Sequence, residues 1–196
     1  PVYSGPANTT APVVSGSEIN GQVLSTTDGS WSDNGQTITG TTYKWQRNLG
    51  SGWSDISSAA SSTYTLNAND VGATVRSVVS KTNSAGTSVA FSSATSTILP
   101  LAPSDPTLSS VTAGDGQLTV SFSAPSSNGG GMIAGYHYSL DAGATWVTNA
   151  SISSSPFVIS GLQNGTMYTL ALRAVNAGGF GISSGTIAGT PFSIPL

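Results

Sequence analysis

Apolar and polar residues alternate in short runs along the whole chain, and Gly, Asn, Asp and Pro bound the runs. Alternation puts every second side chain on one face, the pattern of half-buried strands. Leu118-Thr119-Val120-Ser121-Phe122-Ser123 shows it most clearly, and Ala124-Pro125 ends that run because Pro cannot donate to a ladder. The run Ile133 to Leu140 then places Tyr136, Tyr138 and Leu140 on one face and His137 and Ser139 on the other. Tyr168, Leu170, Leu172 and Ala174 form the longest inward row of the second half. No stretch keeps a helical period over three turns without Gly, Pro or a β-branched cluster intervening. The pattern predicts an all-β chain.

Pro100, Pro103 and Pro106 fall close together and mark a boundary. Such a segment is stiff and extended, since Pro fixes its own φ and biases the residue before it. The expected organisation is an N-terminal extension at 1–10, a β-sandwich at 11–99, a spacer-like linker at 100–106, a second β-sandwich at 107–191 and a tail at 192–196. Each half has about 100 residues, the size of one sandwich.

Composition narrows the function classes. The 196 residues include 5 Lys or Arg and 8 Asp or Glu, for a net charge of -3. That is too few cations for the basic stripe that nucleic acid or an acidic membrane surface requires. No apolar run approaches a membrane span of about 20 residues. With no Cys and 1 His there is no thiolate catalysis, no Cys/His zinc site and no disulfide. The abundant Ser, Thr and Gly predict a surface solvated by hydroxyls and amides, nearly indifferent to ionic strength and suited to an exterior medium. The sequons at Asn8, Asn149 and Asn164 carry little weight for a bacterial or phage protein.

The second half resembles a fibronectin type III domain of the bacterial kind over residues 103–191. The resemblance rests on Leu118 to Pro125, Ile133-Ala134-Gly135-Tyr136, Gly161-Leu162 with Tyr168 six residues later, and Arg173-Ala174-Val175-Asn176-Ala177-Gly178. It implies seven strands in two sheets, with the Tyr168 hydroxyl bonded back to backbone near Leu162. Phe122 stands where the family usually has Trp. Ala11 to Gly16, Gly21 to Thr26, Gly29 to Ser32, Tyr43 to Arg47, Ser62 to Leu66, Asp70-Val71-Gly72 and Thr82 to Gly86 resemble the immunoglobulin-like repeat of bacterial surface and bacteriophage structural proteins, over 11–98. That resemblance implies a buried Trp45 and a turn at Asp70-Val71-Gly72. The expected structural core includes Trp45, Tyr64, Phe122, Tyr136, Leu162 and Tyr168. The row Val75, Ser77, Val79, Lys81 puts two polar residues inward, and Lys81 is expected to reach its amine to water. A covalent Lys–Asn crosslink there is the less favoured reading.

Candidate chemistry is sparse. His137 and Asp141 lie four apart on a strand, about 13 Å, too far for a base and its orienting carboxylate unless the turn folds back. Asp28 and Asp33 flank Trp31 and are a weak calcium candidate, short of the six to eight oxygens that ion takes. Gly129-Gly130-Gly131 lacks the Lys and helix of a phosphate cradle. Exposed rings are the better lead. Phe180, between two Gly, is the preferred surface contact, followed by Trp31, Trp53 and Trp146, for which packing against a sheet is the competing role.

Three functions follow from these expectations. The first is a non-enzymatic module of an extracellular assembly, such as a phage tail, fibre or capsid decoration, with other subunits and host-surface polysaccharide as partners. The second is a bacterial surface adhesin or self-assembling filament whose terminal segments add strands to neighbours. The third is an accessory pair of domains from a polysaccharide-degrading enzyme. No catalytic residue, cofactor, nucleic acid or membrane insertion is expected.

Overall fold

The computed structural model describes residues 3–194, with the side chains of 149–151 also left aside. The chain divides into two compact units, Pro1–Leu99 and Pro100–Leu196. Both are built of strands, and the one helical element among the described residues is the three-residue 3-10 turn Ala68–Asp70.

In unit 1, β1 (Ala7–Thr10) pairs with β4 (Ser30–Ser32) as a ribbon. One sheet has the order β2 (Val14–Gly16), β3 (Val23–Thr26), β7 (Thr63–Thr65); the facing sheet has the order β6 (Trp53–Asp55), β5 (Gly40–Asn48), β8 (Thr74–Asn83), β9 (Gly86–Phe91). Between them Trp45, Leu24, Leu66, Val75 and Ile98 are buried, and Tyr64 tilts against Trp45 at 5.8 Å. The Trp45 indole N–H donates to Ser61 O at 2.9 Å, which satisfies the ring's one polar atom.

In unit 2, one sheet runs β10 (Thr107–Gly114), β11 (Gln117–Ser123), β14 (Phe157–Ser160). The other runs β13 (Val147–Ile152), β12 (Gly135–Ser139), β15 (Tyr168–Asn176), β16 (Gly179–Phe180), with β17 (Ile187–Gly189) also on β15. Phe122 and Tyr136 pack edge to face at 4.5 Å, and Leu118, Val120, Leu170 and Leu172 are fully buried. Leu162 and Tyr168 are half-buried against this core. The Gln163 N–H donates to the Tyr168 hydroxyl at 3.0 Å, one residue beyond Leu162.

Four expectations need correction. Residues 7–10 are not an extension but a strand of unit 1, and Pro6 is fully buried ahead of it. Residues 100–106 are not a spacer, because Pro100, Pro103 and Pro106 are buried in unit 2. Leu101 N–H donates to Gly129 O, Ser104 N–H to Ser127 O, and Pro103 O accepts from Ile182 N–H, so backbone pairing overrides proline stiffness. The tail is likewise docked at Phe192, whose N–H donates to Gly114 O; residues 195 and 196 lie outside the described residues. Lys81 does not reach water: its side chain is 12% exposed and its amine bonds Asp28 and Thr41. Ser77, also inward, is fully buried with its hydroxyl 2.6 Å from that of Thr26.

The two units share one anchoring device. Asn83, at the end of β8, donates from Nδ2 to Ser4 O (3.0 Å) and Asp33 O (3.1 Å) and accepts from the N–H groups of Ala85 and Gly86. Asn176, at the end of β15, donates to Leu101 O (2.6 Å) and Asn128 O (2.8 Å) and accepts from Gly178 N–H. Each carboxamide thus ties the segment entering its unit to a loop between the sheets.

Candidate functional site

The outer face of the larger sheet in each unit carries the same three-layer stack. In unit 1, the Arg76 guanidinium lies 4.2 Å from the Trp53 ring and 4.3 Å from the Phe91 ring. In unit 2, the Arg173 guanidinium lies 4.2 Å from Trp146 and 4.1 Å from Phe180. The strand registers explain the recurrence. Arg76 stands two residues before Val78, which opposes Phe91, and Arg173 stands two residues before Val175, which opposes Phe180. Side chains two apart on a strand share a face, so guanidinium and ring meet on the solvent side. Cation–π attraction holds the layers together.

Trp53, Trp146 and Phe180, read from the sequence as surface contacts, therefore have a structural partner as well. Trp53 and Trp146 are half-buried beneath their arginines. Phe180 is 55% exposed, as a loop ring would be, yet it sits on a short strand and covers both Arg173 and His137, the latter at 5.3 Å. Trp31 stands apart, on β4, with its indole N–H donating to Asp28 O at 2.8 Å. Arg76 and Arg173, which sequence reasoning passed over, hold the stacks together. The signal was present for Arg173: in a chain with 5 cations, an Arg in the middle of the largely apolar run Leu170 to Val175 is an anomaly, whereas Arg76 lies among Ser and Thr residues and gives no such sign.

All five cations are engaged. Lys44 pairs with Asp55 at 3.0 Å on the surface, Arg47 with the fully buried Asp70 at 3.0 Å, and Lys81 with Asp28. Asp28 also accepts from the Tyr43 hydroxyl. The Lys81 hydrogen bond, followed by that of Tyr43, holds the Asp28 carboxyl below the usual range. The residue facing Lys81 is thus an ionised Asp, and an amide link would need a neutral amine against a protonated acid. The remaining calcium candidate, Asp33, accepts from Gly35 N–H at 2.9 Å.

A pH dependence follows. Because the folded Asp28 carboxyl is depressed, its stabilisation is complete above the unfolded value of about 3.9 and is lost as pH falls through the folded value. Asp28 is 39% exposed, so screening limits the contribution to about 1 kcal/mol. Chemical unfolding at pH 6 and pH 2.5 is expected to show a gap between the parent chain and Asp28→Asn at the higher pH that narrows at the lower. An equal gap at both would refute the ion pair's role.

His137 and Asp141 are not brought together as a catalytic pair. Asp141 accepts from Ser139 Oγ (2.6 Å), Thr145 Oγ1 (2.6 Å) and Thr145 N–H (2.8 Å), and these bonds, that of Ser139 first, hold its carboxyl down at about 2. His137 lies on β12 opposite Arg173. Burial first, and the Arg173 charge second, push its imidazole below the usual value, so it is neutral at physiological pH. At Gly129 a Cβ would overlap the Leu101 carbonyl oxygen, so this glycine admits the entering segment rather than a phosphate.

Residues 101–190 match the fibronectin type III domain family, and that half of the chain is a fibronectin type III domain. A segment of 89 residues, 43% of the chain, is 35% identical to protein sax-3 of Caenorhabditis elegans, and the chain spans 7% of that protein's length. Among solved structures, the FN1-FN3 domains of chicken CNTN1 align over 97% of this chain and 68% of that one, with 20% identity and a TM-score of 0.35. A human fibronectin type III domain solved in solution aligns over 50% of this chain and 87% of that one, with 21% identity and a TM-score of 0.42. Fibronectin type III domains are generally non-catalytic scaffolding or adhesion modules, typically extracellular or surface-displayed. No helix among the described residues is long and apolar enough to cross a membrane.

Proposed function

We propose that the chain is a non-enzymatic structural and adhesive module of an extracellular assembly, of the kind that builds bacteriophage tails, fibres or capsid decorations. In this reading the first unit is an immunoglobulin-like repeat, the pair spaces or displays neighbouring domains, and weak contacts to host-surface glycans add adhesion. The disposition of charge carries the reading. Three of the five cations are bonded to carboxylates and two lie between aromatic rings. Ser, Thr, Asn and Gly dominate what faces solvent, and such a surface changes little between fresh water, seawater and a host fluid.

Sedimentation velocity over a wide concentration range, from low salt to about 1 M NaCl, tests this reading. The species distribution at each concentration is expected to be the same at every salt. Association or precipitation driven by changing salt would overturn it.

A further inference from the structure

Arg76 and Arg173 occupy equivalent places, but their surroundings differ in one position. Gln46 lies opposite Arg76 across the strands, and His137 lies opposite Arg173. In unit 1 the Gln46 Oε1 accepts from Arg76 Nε at 2.8 Å, and its Nε2 donates to Asp55 at 2.8 Å. The Arg76 charge is therefore answered by a carboxylate at one remove. In unit 2 the relay is missing. Arg173 Nε and His137 Nδ1, on residues paired across the strands, are both buried, and neither has a hydrogen-bond partner among the described residues. Among the described residues Arg173 is the one cation of the five with neither a carboxylate nor a hydrogen-bond acceptor.

Buried polar groups left unanswered in this way call for an explanation, and a guanidinium is built to bind a carboxylate. We propose that Arg173, framed by Trp146, Phe180 and His137, is a binding site for a carboxylate-bearing sugar, a uronate unit of an acidic polysaccharide. The carboxylate meets the guanidinium, and the apolar face of the sugar ring lies against the exposed Phe180. This inference rests on the glycan-contact part of the proposed function and names its ligand class and residue.

Charge and shape both favour that occupant. His137 is neutral, so the site holds one positive charge, which answers the carboxylate of one sugar unit at a time. Phe180 also forms one wall of an open groove of about 420 Å³ that continues past Ile182, Leu101 and Pro103 to the hydroxyls of Ser104 and Ser127. The groove gives adjoining sugar units both apolar and hydroxyl contacts. Unit 1, with its relay complete, supplies an internal control.

The test is isothermal titration of the full chain with oligogalacturonate, neutral dextran oligomers and a Glu-rich peptide. Arg173→Gln is expected to weaken oligogalacturonate binding at least about tenfold, the loss of a charge-assisted contact, while Arg76→Gln leaves it unchanged. Phe180→Ala should weaken it by several-fold with Arg173 intact, and the circular dichroism of every variant should match the parent. Equal affinity of Arg173→Gln and the parent, or dextran bound as tightly as oligogalacturonate, would overturn the site. Binding of the peptide in preference to the sugar would overturn the polysaccharide assignment and indicate a protein partner. Neither outcome alters the salt independence by which the structural reading is judged.

Discussion

Replacing Asp70 with Ala is expected to destabilise unit 1 by about 3–5 kcal/mol, the usual cost of stranding one member of a buried ion pair. Asp70 has no exposed surface and ends the 3-10 turn Ala68–Asp70. One carboxylate oxygen takes Arg47 Nη1 at 3.0 Å, and the other takes the Tyr64 hydroxyl at 2.7 Å and the Asn67 N–H at 2.9 Å. Burial, and then the bond to Asp70, raises the Tyr64 hydroxyl far above its ordinary value, so it remains a donor throughout the accessible pH range. Ala at position 70 would leave a guanidinium, a phenol and a backbone amide without their shared acceptor. Asn there would keep one or two of these bonds and lose the charge, so its cost should be smaller. Denaturant unfolding followed by Trp fluorescence should show the midpoint of unit 1 falling sharply while that of unit 2 holds. A loss below about 1 kcal/mol would mean that water replaces the carboxylate easily, contrary to its burial.

The second large effect concerns the segment entering unit 2. Asn176→Ala is expected to cost about 2–4 kcal/mol, since it removes three hydrogen bonds made by the side chain of a residue that is 5% exposed. Its consequence is local before it is global. Without the carboxamide, the Leu101 and Asn128 carbonyls lose their shared donor and residues 100–106 detach towards the spacer that their prolines suggest. Hydrogen exchange at the Leu101 and Ser104 amides, now bonded to Gly129 O and Ser127 O, should accelerate far more than at Leu170 or Leu172 in β15. Gly178→Ala offers an independent route to the same state, because a Cβ there would overlap the Pro100 carbonyl oxygen. Unchanged exchange at Leu101 in both variants would show that the buried prolines alone hold the segment.

The architecture was legible because a strand declares itself locally. Alternation in Leu118 to Ser123 and the Pro that ends it needed no knowledge of the partner strand, whereas the burial of Trp45 was implied by resemblance to the immunoglobulin-like repeat. The fibronectin type III half was legible for the same reason, through turn residues at characteristic offsets. The linker at 100–106 misled because proline restricts its own dihedral angles but does not dictate what the surrounding carbonyls and amides will bond. Strand β1 was missed because all four of its residues are exposed, so its sequence lacks the alternation by which strands are recognised.

What the sequence determined by itself was therefore the part governed by neighbours along the chain: strand period, turn chemistry, two units of similar size and a charge-poor surface. What only the tertiary structure decided was the part governed by neighbours across strands. The Asn83 and Asn176 carboxamides reach carbonyls 79 and 75 residues away, and the Arg173 stack joins Trp146 and Phe180 from three different strands or their approaches. Register is a property of the assembled sheet, and a shift of one residue would turn Arg173 from the solvent face into the core. That is why a sequence that announces its sandwiches so plainly does not announce the one guanidinium that, among the described residues, has ring partners but no hydrogen-bond acceptor.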